Sequence, residues 1–301
     1  MNDIQGWINL YKPKNISSFL ALKKIKKKFS INKIGHCGTL DPLAEGILPV
    51  AIGKTTKLIQ FINSDFKKYI FKIKWGEETS TNDSEGIILN TSNNIPTKKI
   101  INNAINSFIG EILQKPPKSS AIKINGIRAY KLFRKNIDFE VSPKKVFVKS
   151  LKNISNVSNS SLFEIECGKG FYVRSFARDF AHYLGTYAHI IDLKRTRVGK
   201  FSLDRSILLD DLMKIGQRLS EFNYVLSSAS MLDDILAIEI EDINYFDQLS
   251  LGKSIILKEN DLYKSKQVVK KNKTVFLSRN GNIISYGKLN GNLFRPNKVL
   301  I

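Results

Sequence analysis

A chain of 301 residues and 34.2 kDa, with 42% apolar and 25% charged residues, can bury the core of one large domain or two, and this composition excludes the disordered and fibrous classes. The formal charge is +21, and it is uneven: residues 202–301 hold 14 basic and 12 acidic side chains, so +19 falls in residues 1–201. No apolar run approaches the roughly 18 residues of a membrane helix, no basic-then-apolar leader opens the chain, and two cysteines, Cys37 and Cys167, make no disulfide framework, so a cytoplasmic protein is expected. Of the 48 basic residues 38 are Lys, which also fits codon drift, but drift does not by itself concentrate charge in one part of a chain. Without a long basic amphipathic helix, nucleic acid is favoured over a membrane surface as the partner.

Residues 7–11 (WINLY) read as a short buried strand, broken by Lys12-Pro13-Lys14-Asn15. Ser17 or Ser18 can cap a helix over 18–29, with Leu22, Ile25 and Phe29 on one stripe and the lysines at 23, 24 and 26–28 mostly off it. The glycines and prolines of residues 34–57 predict a long loop with a short strand near Leu48–Ile52. Residues 69–75 alternate, placing Tyr69, Phe71, Ile73 and Trp75 on one strand face. Residues 79–86 are turn-rich, and a helix is expected near 97–112. A strand over 162–167 is interrupted by Gly168-Lys169-Gly170 and is expected to resume at 171–174. A helix follows over 175–185, ended by Gly185, and then a strand over 189–203 with a basic cluster. The composition shifts near 202–231, where a domain boundary is expected; the last 70 or so residues suggest a small β-rich module.

By themselves, the candidate site residues are weak signals. Asp41 sits in an Asp-Pro turn flanked by glycines, which suits either a ligand or an ordinary loop. On a strand, Tyr172 and Arg174 would point to the same side, and such an Arg needs a carboxylate or phosphate partner. His36, Cys37, Cys167, His182 and His189 match no zinc spacing, so no metal is expected. Neither a phosphate-binding GxxxxGK[ST] loop nor a dinucleotide fingerprint occurs, so no nucleotide cofactor is expected.

Taken together, five ordered segments resemble the bacterial TruB family of tRNA pseudouridine-55 synthases: GWINLYKPKNISS (6–18), GHCGTLDPLAEGILPVAIGKTTK (35–57), KKYIFKIKWGEETSTNDSEG (67–86), QKPPKSSAIKINGIRAYKLFR (114–134) and CGKGFYVRSFARDFAHYLGTYAHIIDLKRTRVGKF (167–201). The closing GNLFRPNKVLI resembles the end of a small PUA-like domain. The resemblance implies an α/β pseudouridine synthase fold with a mixed, largely antiparallel sheet over residues 1–231, and a diverged PUA-like RNA-binding domain over 232–301. It implies that Asp41 is the catalytic aspartate. Tyr69 would pack on the base and act as favoured general base for its C5 proton, and Arg174 would pair with the aspartate. On the substrate side it places Tyr172, Leu193 in the base pocket, and His36 against displaced loop nucleotides. Lys12 is counted there too, although its Lys-Pro motif is taken as mainly structural. Cys37, Phe171 and Lys118 depart from the family's usual residues.

The implied reaction is redox-neutral and calls for no cofactor; it does call for a base pulled out of the tRNA loop, which costs a few kcal/mol. Asp41 would act as nucleophile or as base on the sugar, and the residues leave both open. Lys194, Arg195, Arg197 and Lys200, the densest basic group, are expected to hold phosphates. The expected partner is the TΨC stem-loop of tRNA, bound by a monomer. A guide-RNA-dependent synthase is disfavoured, because the chain lacks that family's larger accessory region. A non-catalytic tRNA-binding or folding factor is the alternative from another class.

Overall fold

A computed structural model describes residues 4–62, 66–216, 224–230, 232, 237–264 and 274–301. The chain begins with β1 (Gly6–Lys12), α1 (Ser18–Lys28), β2 (Ile34–His36) and β3 (Glu45–Ile52), followed by a 3-10 segment and β4 (Lys67–Trp75). A hairpin of β5 (Glu77–Thr79) and β6 (Ile88–Thr91) leads to α2 (Lys98–Ala104), a 3-10 turn and β7 (Gly110–Gln114). The short pair β8 (Lys123–Ile124) and β9 (Ile127–Arg128) runs into α3 (Ala129–Arg134). The long strands β10 (Lys144–Val157) and β11 (Ser160–Cys167) precede α4 (Val173–Tyr183) and β12 (Ala188–Val198); then come β13 (Phe201–Ser202), β14 (Ile207–Leu208) and α5 (Leu209–Lys214). The C-terminal part holds β15 (Ala237–Glu239), α6 (Ile243–Ser250), β16 (Ile255–Ile256), α7 (Glu259–Lys264), β17 (Thr274–Arg279), β18 (Asn282–Asn290) and β19 (Leu293–Val299).

A ten-stranded sheet runs β14-β1-β3-β12-β4-β11-β10-β7, with β2 on β3 and β13 on β12. Within it, among the described residues, only β1/β14 and β3/β12 pair in parallel, so the sheet is mixed and largely antiparallel as expected. A second, five-stranded sheet runs β15-β17-β18-β19-β16. Between the sheets lies one buried apolar cluster that includes Trp7, Phe201, Leu232, Phe276 and Leu300.

Local sequence explains the elements that carry the site. The Ser17 side chain caps α1 by accepting from the Leu20 N–H at 3.1 Å. Ser18 reaches the other way, donating to the Leu40 carbonyl and accepting from the Leu40 N–H, both at 2.9 Å, and so ties α1 to the loop before Asp41. On β4 the alternating Tyr69, Phe71, Ile73 and Trp75 are buried, and α4 lays Phe176 and Phe180 against them. Phe176 is fully buried and meets the rings of Phe71, Phe163 and Phe180 at 5.7, 6.4 and 5.2 Å. Phe176→Ala is expected to destabilise the protein by about 3–5 kcal/mol, a large part of a typical domain's stability, as measured by urea unfolding.

Three expectations from the sequence are corrected. The helix near 97–112 stops early: Gly110, at φ +94°, opens β7, where alternating exposure of residues 110–114 replaces a helical stripe. The strand expected to resume at 171–174 is instead a turn and the start of α4. Gly170 turns the chain at φ +84°, and the Gln114 side chain takes both backbone groups of Tyr172. The Tyr172 N–H donates to Gln114 Oε1 at 2.8 Å, and Gln114 Nε2 donates to the Tyr172 carbonyl at 3.1 Å. With no strand partner needed, Tyr172 serves as N-cap and Arg174 falls in the first helical turn. The strand over 189–203 ends at Val198, because Gly199 turns at φ +53°.

Candidate active site

Segments distant in sequence line one cavity of ≈ 240 Å³: Gly38–Asp41, Lys67 and Tyr69 of β4, Ser120 and Ala121, Gly170–Arg174, and Leu193 and Arg195 of β12. Five of the predicted site residues meet here: Asp41, Tyr69, Tyr172, Arg174 and Leu193. The parallel pairing of β3 with β12 shapes this wall. Gly46, at φ +107°, lets the Arg195 backbone approach so closely that a Cβ would fall on the Arg195 carbonyl.

Arg174 organises the charges. Its side chain is 6% exposed, and its Nε lies 3.0 Å from Asp41 Oδ2. Nη1 lies 3.3 Å from Asp83 Oδ2 and donates to the Thr81 carbonyl at 3.0 Å and to Ser119 Oγ at 2.6 Å. Asp83 is buried and is held in turn by Thr81 Oγ1 and the Glu85 N–H. One guanidinium thus bridges two carboxylates: buried Asp83 anchors it, and Asp41, partly exposed, faces the cavity. The planar fork is what makes this double contact possible.

Tyr69 is 8% exposed, and burial pushes its phenol up to about 12, with the Arg195 guanidinium pulling the other way. The phenol is therefore protonated at neutral pH. A group whose value is raised on folding contributes stability below its unfolded value, here about 10, and loses it as pH rises through the folded value. Stability is expected to fall between about pH 10 and 12, and Tyr69→Phe should flatten that fall; equal slopes in urea unfolding would contradict it.

Two predicted site residues lie off the cavity wall. Lys12 is fully buried, and its ammonium donates to the Pro13 and Ile16 carbonyls, each at 2.8 Å, so it braces the loop instead of facing a substrate. Burial pushes its ammonium down to about 8, with Asp41 opposing that shift. His36, half-buried on β2, has a buried Nδ1 with no hydrogen-bond partner among the described residues, and burial together with Arg195 lowers its pKa. Gly38, two residues on, is the part of this segment that reaches the cavity.

The expected phosphate-holding group is corrected at one member, Arg195. Arg195 is 1% exposed, donating from Nε to the Ile47 carbonyl and from Nη2 to the Gly38 carbonyl. Arg197 pairs with Glu166 at 2.8 Å, Lys200 donates to the Ser230 and Leu232 carbonyls, and Lys194 lies over the Tyr11 ring. Clustering in sequence thus did not place Arg195 on a free surface, since β12 is an interior strand of the sheet and Arg195 points into it, whereas Arg197 and Lys200 keep exposed side chains. Sequence reasoning missed Asp83, Lys67, Ser119 and Gln114. Asp83 lay in a turn-rich polar stretch, where one acidic residue carries no signal until Arg174 is seen beside it. Among the described residues no group of three or more His, Cys, Asp or Glu could hold a metal, and no helix is long and apolar enough to cross a membrane.

Two family models match the chain in succession: the TruB family pseudouridylate synthase N-terminal domain over residues 26–173, and the tRNA pseudouridylate synthase B C-terminal domain over 174–237. The tRNA pseudouridine synthase B of Bartonella bacilliformis is 37% identical over 98% of this chain and 95% of its own length. That of Caulobacter vibrioides is 41% identical over 84% of this chain and 82% of its own. The match to that of Wolbachia pipientis is 47% identical over 70% of this chain and covers 60% of that protein. Among solved structures, a chain of an H/ACA RNP bound to a substrate RNA containing 2'-deoxyuridine superposes with a TM-score of 0.71 at 21% identity, covering 98% of this chain and 85% of that one. A chain of a Cbf5-Nop10-Gar1 complex does so at 23% identity with the same TM-score and coverage; at these identities the likeness is one of fold. With its large mixed sheet, the β-rich second sheet and the sequence matches over nearly its whole length, the chain belongs to the TruB family of pseudouridylate synthases.

Proposed function

We propose that this TruB-family chain isomerises uridine 55 in the TΨC arm of tRNA to pseudouridine, acting as a cytoplasmic monomer on a base turned out of the loop. In this reaction the N1–C1′ bond breaks, the uracil turns, C5 bonds to C1′, and the proton lost from C5 is balanced by one gained at N1. Atoms and electrons are conserved, so the chemistry calls for no redox partner. The observation that carries the reading is the Asp41–Arg174 ion pair at 3.0 Å on the wall of a cavity that Tyr69 and Leu193 also line.

Each side chain has a part in this reading. Tyr69 and Leu193 sandwich or floor the base; stacking on an aromatic ring is worth about 1–3 kcal/mol and offsets the loss of stacking in the loop. Asp41, fixed by Arg174, presents its carboxylate to the ribose as nucleophile at C1′ or as base toward the sugar. Tyr69, with its phenol neutral, is a relay for the C5 proton. Tyr172 completes the wall beside Arg174. Residues 1–231 form the catalytic unit and 232–301 a diverged RNA-binding module.

The test is product mapping. The protein is incubated with an unmodified tRNA transcript, and pseudouridine is mapped by carbodiimide-blocked primer extension. One new pseudouridine at position 55, absent from a transcript with cytidine there, is the expected result. Tight binding with no product would turn the reading toward a tRNA-binding or folding factor.

A further inference from the structure

Lys67 opens β4 two residues before Tyr69, on the same strand face, and its side chain lines the cavity. Two other lysines of this strand have carboxylate partners: Lys68 pairs with Glu164 at 2.9 Å and Lys74 with Glu77 at 2.6 Å. Among the described residues Lys67 has no carboxylate partner, and its ammonium makes no hydrogen bond. A second cation stands beside it. A Cβ added at Gly38 would lie 3.3 Å from Arg195 Nη1 and 3.8 Å from Lys67 Nζ, so both positive groups flank one point of the cavity wall. The cavity's own carboxylate, Asp41, is taken by Arg174.

A half-buried ammonium without a counter-charge is costly. Burial and the Arg195 charge both lower the Lys67 pKa, which is the sign of a cation lacking an anion. Position decides which anion. Tyr69, Leu193 and Arg195, at 8, 5 and 1% exposure, form the floor, whereas Thr39 and Gly170 are exposed and Gly38 is half-buried. Lys67 lies nearer this rim, where the Lys169 charge also reaches it. A nucleotide that enters base first leaves its ribose at Asp41 and its phosphates at the rim.

We propose that Lys67 is the seat for a backbone phosphate adjoining the everted nucleotide. A compact ammonium with three donors suits a phosphate oxygen. The inference rests on the RNA-modifying reading above and names the ligand atom class at one position of that site.

The experiment compares wild type, Lys67→Met and Lys67→Arg on a TΨC stem-loop RNA, measuring affinity against salt as well as turnover. Met keeps the unbranched stem and removes the charge. Lys67→Met is expected to weaken binding about tenfold or more and to reduce the slope of log K against log salt by about 0.7–0.9, the signature of one lost phosphate contact. Its kcat should stay within a few-fold, and Lys67→Arg should restore the slope. A methylphosphonate at the linkage 5′ or 3′ of the target uridine should then weaken wild type by the same factor and leave Lys67→Met indifferent at one of the two sites. An unchanged slope overturns the proposal, whether kcat falls, which would put the ammonium on the detached base, or stays, which would leave only stem packing. Melting temperatures of both variants check the fold. If wild type converted no RNA the pseudouridine reading would fail, but the binding slope would still decide the role of Lys67.

Discussion

Asp41→Asn is expected to abolish pseudouridine formation, by on the order of 10^4-fold or more, with tRNA affinity kept within a few-fold. The substitution is nearly isosteric. An asparagine oxygen can still accept from Arg174 Nε, so the 3.0 Å contact survives in shape but loses one charge. The buried guanidinium is not orphaned, because Asp83 remains 3.3 Å away and the Thr81 carbonyl and Ser119 hydroxyl still accept from it. The fold should therefore persist. What disappears is the electron pair that either mechanism needs: an amide oxygen neither attacks C1′ usefully nor removes a proton from the sugar. Single-turnover kinetics read by product mapping, beside a binding isotherm and a thermal melt, separate these effects. A rate near that of wild type would remove Asp41 from the chemistry.

How far the sequence reaches can be judged from these residues. The alternation in YIFKIKW carried β4 and the side of Tyr69 correctly, because a half-buried strand writes its faces with a period of two. Ser17, the apolar stripe and the lysines did the same for α1, where cap and periodicity agree. The convergence of Asp41, Tyr69 and Arg174 was legible only through the resemblance, since no local rule links positions so far apart. Tyr172 and Arg174 were misread as strand because the deciding contact, the Gln114 amide on the Tyr172 backbone, is made across 58 residues. Arg195 was grouped with Lys194, Arg197 and Lys200 as a phosphate patch because charge density is visible in sequence and burial is not. The structure turns Arg195 into an interior brace, while Lys67 is a cavity cation with no carboxylate partner among the described residues, one of 38 lysines and marked by nothing in its local pattern.

Arg174→Lys is expected to reduce turnover by about 10^2–10^3-fold although the positive charge remains. Arg174 makes its contacts from three nitrogens in one plane: Nε toward Asp41, Nη1 toward Asp83, Thr81 and Ser119 Oγ, and Nη2 to the Ser119 carbonyl at 3.4 Å. An ammonium is a single point on a flexible stem and cannot span both carboxylates. Whichever one it leaves loses its partner. Asp83 is almost wholly buried, so the lysine is drawn to that side, where an unpaired charge is most costly, and Asp41 is released to rotate in the cavity. Breaking a buried pair costs about 3–5 kcal/mol, and each 1.36 kcal/mol of that total felt in the transition state is a factor of ten in rate. Part of it must therefore appear as a lowered melting temperature and part as slower turnover. Asp83→Asn should behave in kind but more mildly, because the amide still accepts from Nη1. If the lysine variant turned over at the wild-type rate, a point charge near Asp41 would suffice, and the bridging geometry between Asp41 and Asp83 would have no part in the reaction.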